Sequence, residues 1–204
     1  INSIEKIKSG LNYKIRRNKK IWCASSTHNG EEIILANVHL KLKKKMNNLL
    51  TIIIPRHIDR KNEIISLLRT LNLKVHLHSS KKKIANDIDI YLVDTYGETK
   101  KFFKISKVVF LGGSMISHGG QNPLEAARFG CKILHGKYIN NFTEIYSLLE
   151  KNKQSEKVNS QKHLDYVLRK SLMKKDKPDM FIKKLNRNGN LILKKTTDEI
   201  VDLI

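Results

Sequence analysis

The chain has 204 residues, a formal charge of +21 and 40% apolar residues, so it can bury a core as one large domain or two small ones. No apolar run approaches the roughly 18 residues of a membrane span, and no leader-peptide pattern opens the chain. Lysine far outnumbers arginine along the whole sequence, and no basic-aromatic motif of the kind that stacks bases accompanies it. Specific nucleic-acid binding is therefore not expected, whereas a basic face near anionic lipid fits the same charge. Cys23 and Cys131 are too few for a structural zinc site and stand in apolar contexts, as small buried residues do. His76 and His78 in "VHLHS" share one face of an expected strand and read as a surface pair. No metal and no cofactor is expected.

In chain order, "IWCAS" (21–25) reads as a strand and Glu31 to Met46 as a helix. "LLTIIIP" (49–55) is a second strand, followed by helical spacing over 59–72. "LKVHLHS" and "DIDIYLVDT" (87–95) supply two more strands, and a short helix is expected over 97–105. "KVVFLGG" (107–113) precedes the helix "NPLEAARFG"; then come the strand "KILHG" (132–136) and the helix "NFTEIYSLLEK" (141–151). Near the end, "NLILKK" and "TTDEIVDLI" suggest a last strand and the start of a helix. Alternation of strand and helix with short connections predicts an α/β fold, a Rossmann-like, doubly wound parallel sheet covered on both faces. Residues 152–189 are polar and highly charged, with one amphipathic patch around Leu164–Met173, and are expected to form an excursion outside the sheet.

Ligands of such sheets bind beyond the carboxyl ends of the strands, so the loops there carry the functional signal. After the first strand, "SSTHNGEE" gives Asn29 and Glu32 capping-box spacing. "PRHIDR" puts Arg56 and His57 at the second strand's tip. "DTYGE" repeats capping-box spacing with Thr95 and Glu98. "FLGGSMISHGGQNPLEAARFG" (110–130) holds five of the ten glycines, with Asn122 as expected N-cap, Pro123 at N1 and Glu125 at N3. Each loop can be explained by helix capping alone. Together, helix starts and an Arg-His pair on one sheet edge favour an anion, and Arg56 offers a fork suited to phosphate or carboxylate. There is no Walker motif, no dinucleotide glycine fingerprint and no nucleophile elbow. A sugar-nucleotide phosphate remains as the ligand class.

As a set, these four loops resemble the donor half of the bacterial Kdo transferases, which move 3-deoxy-D-manno-octulosonic acid (Kdo) from CMP-Kdo to the lipid A precursor. The resemblance runs from about Trp22 to Leu149 and resumes weakly at "NGNLILKKTTDEI". It implies the C-terminal half of a GT-B glycosyltransferase: residues 1–20 as a linker from an acceptor domain, and 21–204 as the donor-nucleotide domain. It also implies donor contacts from Arg56, His57, Gly112, Gly113, Ser114, Asn122 and Glu125, with Glu125 on the ribose hydroxyls. Ser26, Thr27, His28, Thr95, Gly97 and Glu98 would line the interdomain cleft, and His118 stands beside them as a further candidate.

The family usually has Pro where Ile58 stands and His where Gln121 stands. Its general base is a carboxylate of the acceptor half, so no catalytic residue is expected in this chain. The resemblance further implies a peripheral position at the cytoplasmic face of a Gram-negative inner membrane, in lipopolysaccharide synthesis. A non-catalytic remnant of such an enzyme, or another GT-B sugar-nucleotide enzyme, is the alternative.

Overall fold

The computed structural model describes residues 19–174. Seven strands form one parallel sheet in the order β3-β4-β2-β1-β5-β6-β7. They are β1 (Lys20–Thr27), β2 (Leu49–Pro55), β3 (Val75–Leu77), β4 (Ile90–Leu92), β5 (Val108–Leu111), β6 (Lys132–His135) and β7 (Ser155–Lys157). The helices are α1 (Glu31–Lys43), α2 (Lys61–Thr70), α3 (Thr99–Phe103), α4 (Leu124–Arg128), α5 (Thr143–Lys151) and α6 (Gln161–Met173). The order reverses at β1, which pairs with β2 on one side and β5 on the other. This is the doubly wound fold expected from the alternation of elements, and its switch point lies between the ends of β1 and β5.

Period-two alternation sorts the strand residues onto two faces. Trp22 and Ala24 of β1 pack with Leu35, Val38 and Leu42 of α1 and with Leu164 and Leu168 of α6. Ile21 and Cys23 face the other way, toward Phe102 of α3, Ala126 of α4 and Tyr146 of α5. A third cluster joins Ile53 and Ile90 to Ile64 and Leu68 of α2. Both thiols are buried within this packing, and burial pushes Cys131 up to about 12.

Residues 155–173 correct the expected excursion. β7 pairs in parallel with β6, Ile133 opposite Ser155 and His135 opposite Lys157. Ser160 then caps α6, its hydroxyl accepting from the His163 N–H at 3.1 Å. The amphipathic patch on α6 covers Trp22 and Leu42, and Lys41 reaches Asp165 at 3.0 Å. Ser-Glu-Lys carries no apolar alternation because this short strand, last in the order among the described residues, buries little side chain. Of residues 1–20, only Lys19 and Lys20 are described, and Lys20 already opens β1. The expected strand "NLILKK" and the helical "TTDEIVDLI" lie outside the described residues.

Candidate functional site at the switch point

The ends of β1 and β5 are stitched by the Gly112 N–H, which donates to the Ser25 carbonyl at 2.8 Å. The pairing of β1 with β2 is interrupted by a register shift between Ser25 and Thr27, where Ser26 adopts φ 57°. This bulge brings the Ser26 carbonyl so close to β5 that a Cβ on Gly112 would sit 2.2 Å from it. Gly112 is therefore required by the protein's own backbone, which fills the space a ligand was expected to enter. Gly113 has φ 66°, and a Cβ there would lie 3.1 Å from the rings of both His28 and His118.

Helix α1 starts after Gly30, and the expected box between Asn29 and Glu32 does not form. Glu31 turns back instead, accepting from the His28 N–H at 3.0 Å. The same carboxylate accepts from the Gly113, Ser114 and Met115 N–H groups at 2.8, 3.3 and 3.1 Å. Burial pushes the Glu31 carboxyl up, and these N–H donors pull it back only in part. Glu32, also buried, accepts from the Thr27 hydroxyl at 2.9 Å and pairs with Arg60 at 3.0 Å. Sequence reasoning missed Glu31 and read Glu32 only as a capping partner of Asn29. Their only signal was their place as an acidic pair opening a helix directly after a strand.

Three imidazoles gather above this clamp. The His28 and His118 rings are 4.1 Å apart between centroids, and His57 stands edge-on to His28 at 6.1 Å. Nδ1 of His28 lies 2.9 Å from the Ser26 carbonyl, which can only accept, so Nδ1 carries the proton. Nε2 of His28 is buried without a hydrogen-bond partner among the described residues. Burial, then the neighbouring His118, lower the His28 pKa; the Ser26 carbonyl opposes this, and His57 and Arg56 lower it further. His57, His118 and Arg56 are exposed around it. The Arg56 N–H donates to the Thr27 carbonyl at 3.0 Å, which sets its side chain at the rim.

The structure thus brings Ser26, Thr27, His28, Arg56, His57, Gly112 and Gly113 together. Ser114 is turned away from them. Its hydroxyl donates to the Leu111 carbonyl and accepts from the Gly136 N–H at 2.8 Å, tying β5 to β6. Glu125 belongs to a second group, 3.4 Å from the Thr99 hydroxyl and 3.8 Å from Lys100. Asn122 accepts from the Leu124 N–H at 3.0 Å, but Pro123 occupies the N-cap position, one residue later than expected.

Glu98, Thr95 and Gly97 form a third group. Glu98 is itself the N-cap residue of α3 and pairs with Lys101 at 2.6 Å and His78 at 3.8 Å, so no capping box with Thr95 exists. The Thr95 hydroxyl is buried without a hydrogen-bond partner among the described residues, while Gly97 is exposed with φ 79°. His76 and His78 are not a surface pair. His76 stacks on buried Tyr91 at 5.4 Å, and His78 Nδ1 lies 2.9 Å from the Tyr91 hydroxyl. Among the described residues no three His, Cys, Asp or Glu side chains are placed to hold a metal ion.

No family model matches the chain. A curated relative from Haemophilus influenzae, 3-deoxy-D-manno-octulosonic acid transferase, is 37% identical over 134 residues, covering 66% of this chain and 31% of its own length. A protein from Arabidopsis thaliana, "Probable 3-deoxy-D-manno-octulosonic acid transferase, mitochondrial", is 32% identical over 152 residues, 71% of this chain and 34% of its own. The chain spans about a third of the length of these curated relatives. Among solved structures, the C-terminal CMP-Kdo binding domain of WaaA from Acinetobacter baumannii matches 95% of this chain and 99% of its own. Its TM-score is 0.77 at 22% identity, which establishes the shared fold. The α,α-trehalose 6-phosphate synthase of Burkholderia multivorans matches 99% of this chain and 48% of its own, with TM-score 0.55 and 9% identity.

Proposed function

From its membership of the 3-deoxy-D-manno-octulosonic acid (Kdo) transferases, a glycosyltransferase family, we propose that this chain supplies their donor-binding half. It would hold CMP-Kdo while Kdo passes to a lipid A precursor. The observation that carries the reading is the convergence of Arg56, His57, His118 and His28 at the switch point between β1 and β5. Parallel-sheet ligands bind at such a point, and the exposed Arg56 guanidinium and the imidazole N–H groups there suit a phosphate and a sugar carboxylate. In this reading Arg56 meets the phosphate, Gly113 lets the ligand pass close to the turn, and Asn122 and half-exposed Glu125 meet the ribose.

The group that deprotonates the acceptor hydroxyl comes from elsewhere, in the part of the relatives' length that this chain does not span. No helix among the described residues is long and apolar enough to cross a membrane. Access to a lipid acceptor would then be peripheral, at the cytoplasmic face of the inner membrane and aided by the basic surface. Calorimetric titration of the folded chain with CMP tests the proposal directly. Saturable binding, with CMP preferred to UDP, is the expected result. Absence of CMP binding overturns the donor reading, and a preference for UDP points to another sugar-nucleotide enzyme of the same fold.

A further inference from the structure

Glu31 has no exposed surface and takes four main-chain N–H groups on one carboxylate. His28 and Gly113 donate to Oε2 at 3.0 and 2.8 Å, while Ser114 and Met115 donate to Oε1 at 3.3 and 3.1 Å. Three successive N–H groups converging on an anion is the geometry with which turns bind phosphate or carboxylate from solution. Here the anion is the protein's own. An incoming phosphate cannot use the amides of residues 113–115 without expelling Glu31, whose charge also repels it.

The clamp joins two walls. Through His28 it holds the outgoing end of β1, and through Gly113–Met115 it holds the turn after β5. Those are the two sides of the switch point, and both are single-stranded loops with positive φ at Ser26 and Gly113. Among the described residues, Glu31 is the side chain whose hydrogen bonds bridge the His28 amide to this turn.

Resting on the donor-site reading, the geometry points to Glu31 as a positioning residue of that site. It is an internal anion that fixes the spacing of the β1 and β5 ends and directs the ligand's phosphate to Arg56 and the exposed imidazoles. It touches no ligand itself.

The test is calorimetric titration of CMP and of cytidine into the full chain as wild type, E31Q, E31A and R56A. E31Q sets an amide N–H against main-chain N–H groups, and it weakens both ligands by the same factor, about tenfold or more, leaving their ratio intact. R56A weakens CMP alone. Added formate restores CMP binding to E31A, because the small carboxylate refills the emptied nest, whereas chloride at equal ionic strength does not. Wild-type affinity in both Glu31 variants overturns the proposal. So does a rise in the CMP-to-cytidine ratio in E31A, which would seat the phosphate in the nest, or a folded E31A that ignores formate.

If neither Glu31 variant folds, amide hydrogen exchange on the wild type decides. Protection of Gly113, Ser114 and Met115 together, lifted no further by CMP, is expected; exchange at the rate of an open loop overturns the clamp. A wild type that binds neither CMP nor cytidine sinks the donor reading and this role with it, whatever its amides show.

Discussion

At the first turn of α1, Glu31 and Glu32 are buried among main-chain donors, the Thr27 hydroxyl and Arg60; at its last turns, His39 and Lys43 approach Asp89, which precedes β4. The polarity of each end follows the helix dipole, with acids at the N-terminus and bases at the C-terminus. The outcomes differ. On the amino edge of the sheet His39 and Asp89 are buried, and the half-exposed Lys43 reaches in to them. His39 Nδ1 meets the Thr51 hydroxyl at 2.7 Å, His39 Nε2 lies 3.5 Å from Asp89, and the Lys74 N–H donates to Asp89 at 2.9 Å. At the switch point on the carboxyl edge Glu31 and Glu32 are consumed internally, and the bases are left over. Arg56, His57 and His118 face solvent, and His28 Nε2 has no partner among the described residues. A closed knot of charges makes for stability, and an unbalanced one makes for binding.

Four measurements can break or sharpen this contrast. The largest effect is expected from Asp89→Ala, which strands His39 and Lys43; it should cost about 3–5 kcal/mol in chemical denaturation. A loss under about 1 kcal/mol would show that the knot is dispensable. At the other edge, Arg56→Ala should weaken CMP by about tenfold to a hundredfold, because a charge-assisted hydrogen bond is lost. Its melting temperature should hardly change, since the side chain is exposed; a large drop would mean that Arg56 belongs to the fold.

Next comes pH. His28, His76 and His135 all have pKa values lowered by burial first, so the unfolded chain takes up protons before the folded one. Stability should therefore be full above the ordinary imidazole range near about 6.5 and fall as pH drops through it, levelling off below the folded values. Burial pushes the Asp89 carboxyl up, but His39, Lys43 and the Lys74 N–H outweigh it and hold it well below the carboxylate range. A second loss of stability should follow as pH falls beneath about 4. Denaturation midpoints that stay flat from pH 8 to about 5 would contradict the histidine part. The smallest effect is local: His118→Asn removes a neighbouring charge, so the His28 pKa should rise toward its ordinary value, as read from its ring proton by NMR.

Strands such as β2 were legible because "LLTIIIP" is buried along its whole length, and an apolar run between charged flanks has few other places to go. β7 was not, since among the described residues Ser155–Lys157 pairs with β6 alone and its pattern offers no apolar run. At the site, Arg56 and the imidazoles stood out because polar residues at strand tips are where parallel sheets bind ligands. Glu31 did not, because a glutamate at a helix start reads as a solvated cap. Its burial depends on a turn 82 residues away in sequence, which no local pattern encodes.

The open margins of the sheet give the lysine excess a use. Among the described residues β3 and β7 are its two outermost strands, three residues each. Lys74 and Lys81–Lys83 flank the first, Lys151 and Lys153 precede the second and Lys157 ends it, all exposed. Unpaired strand borders recruit other chains, and short, cationic borders discourage them. Lysines placed there disfavour edge-to-edge pairing between copies of the sheet.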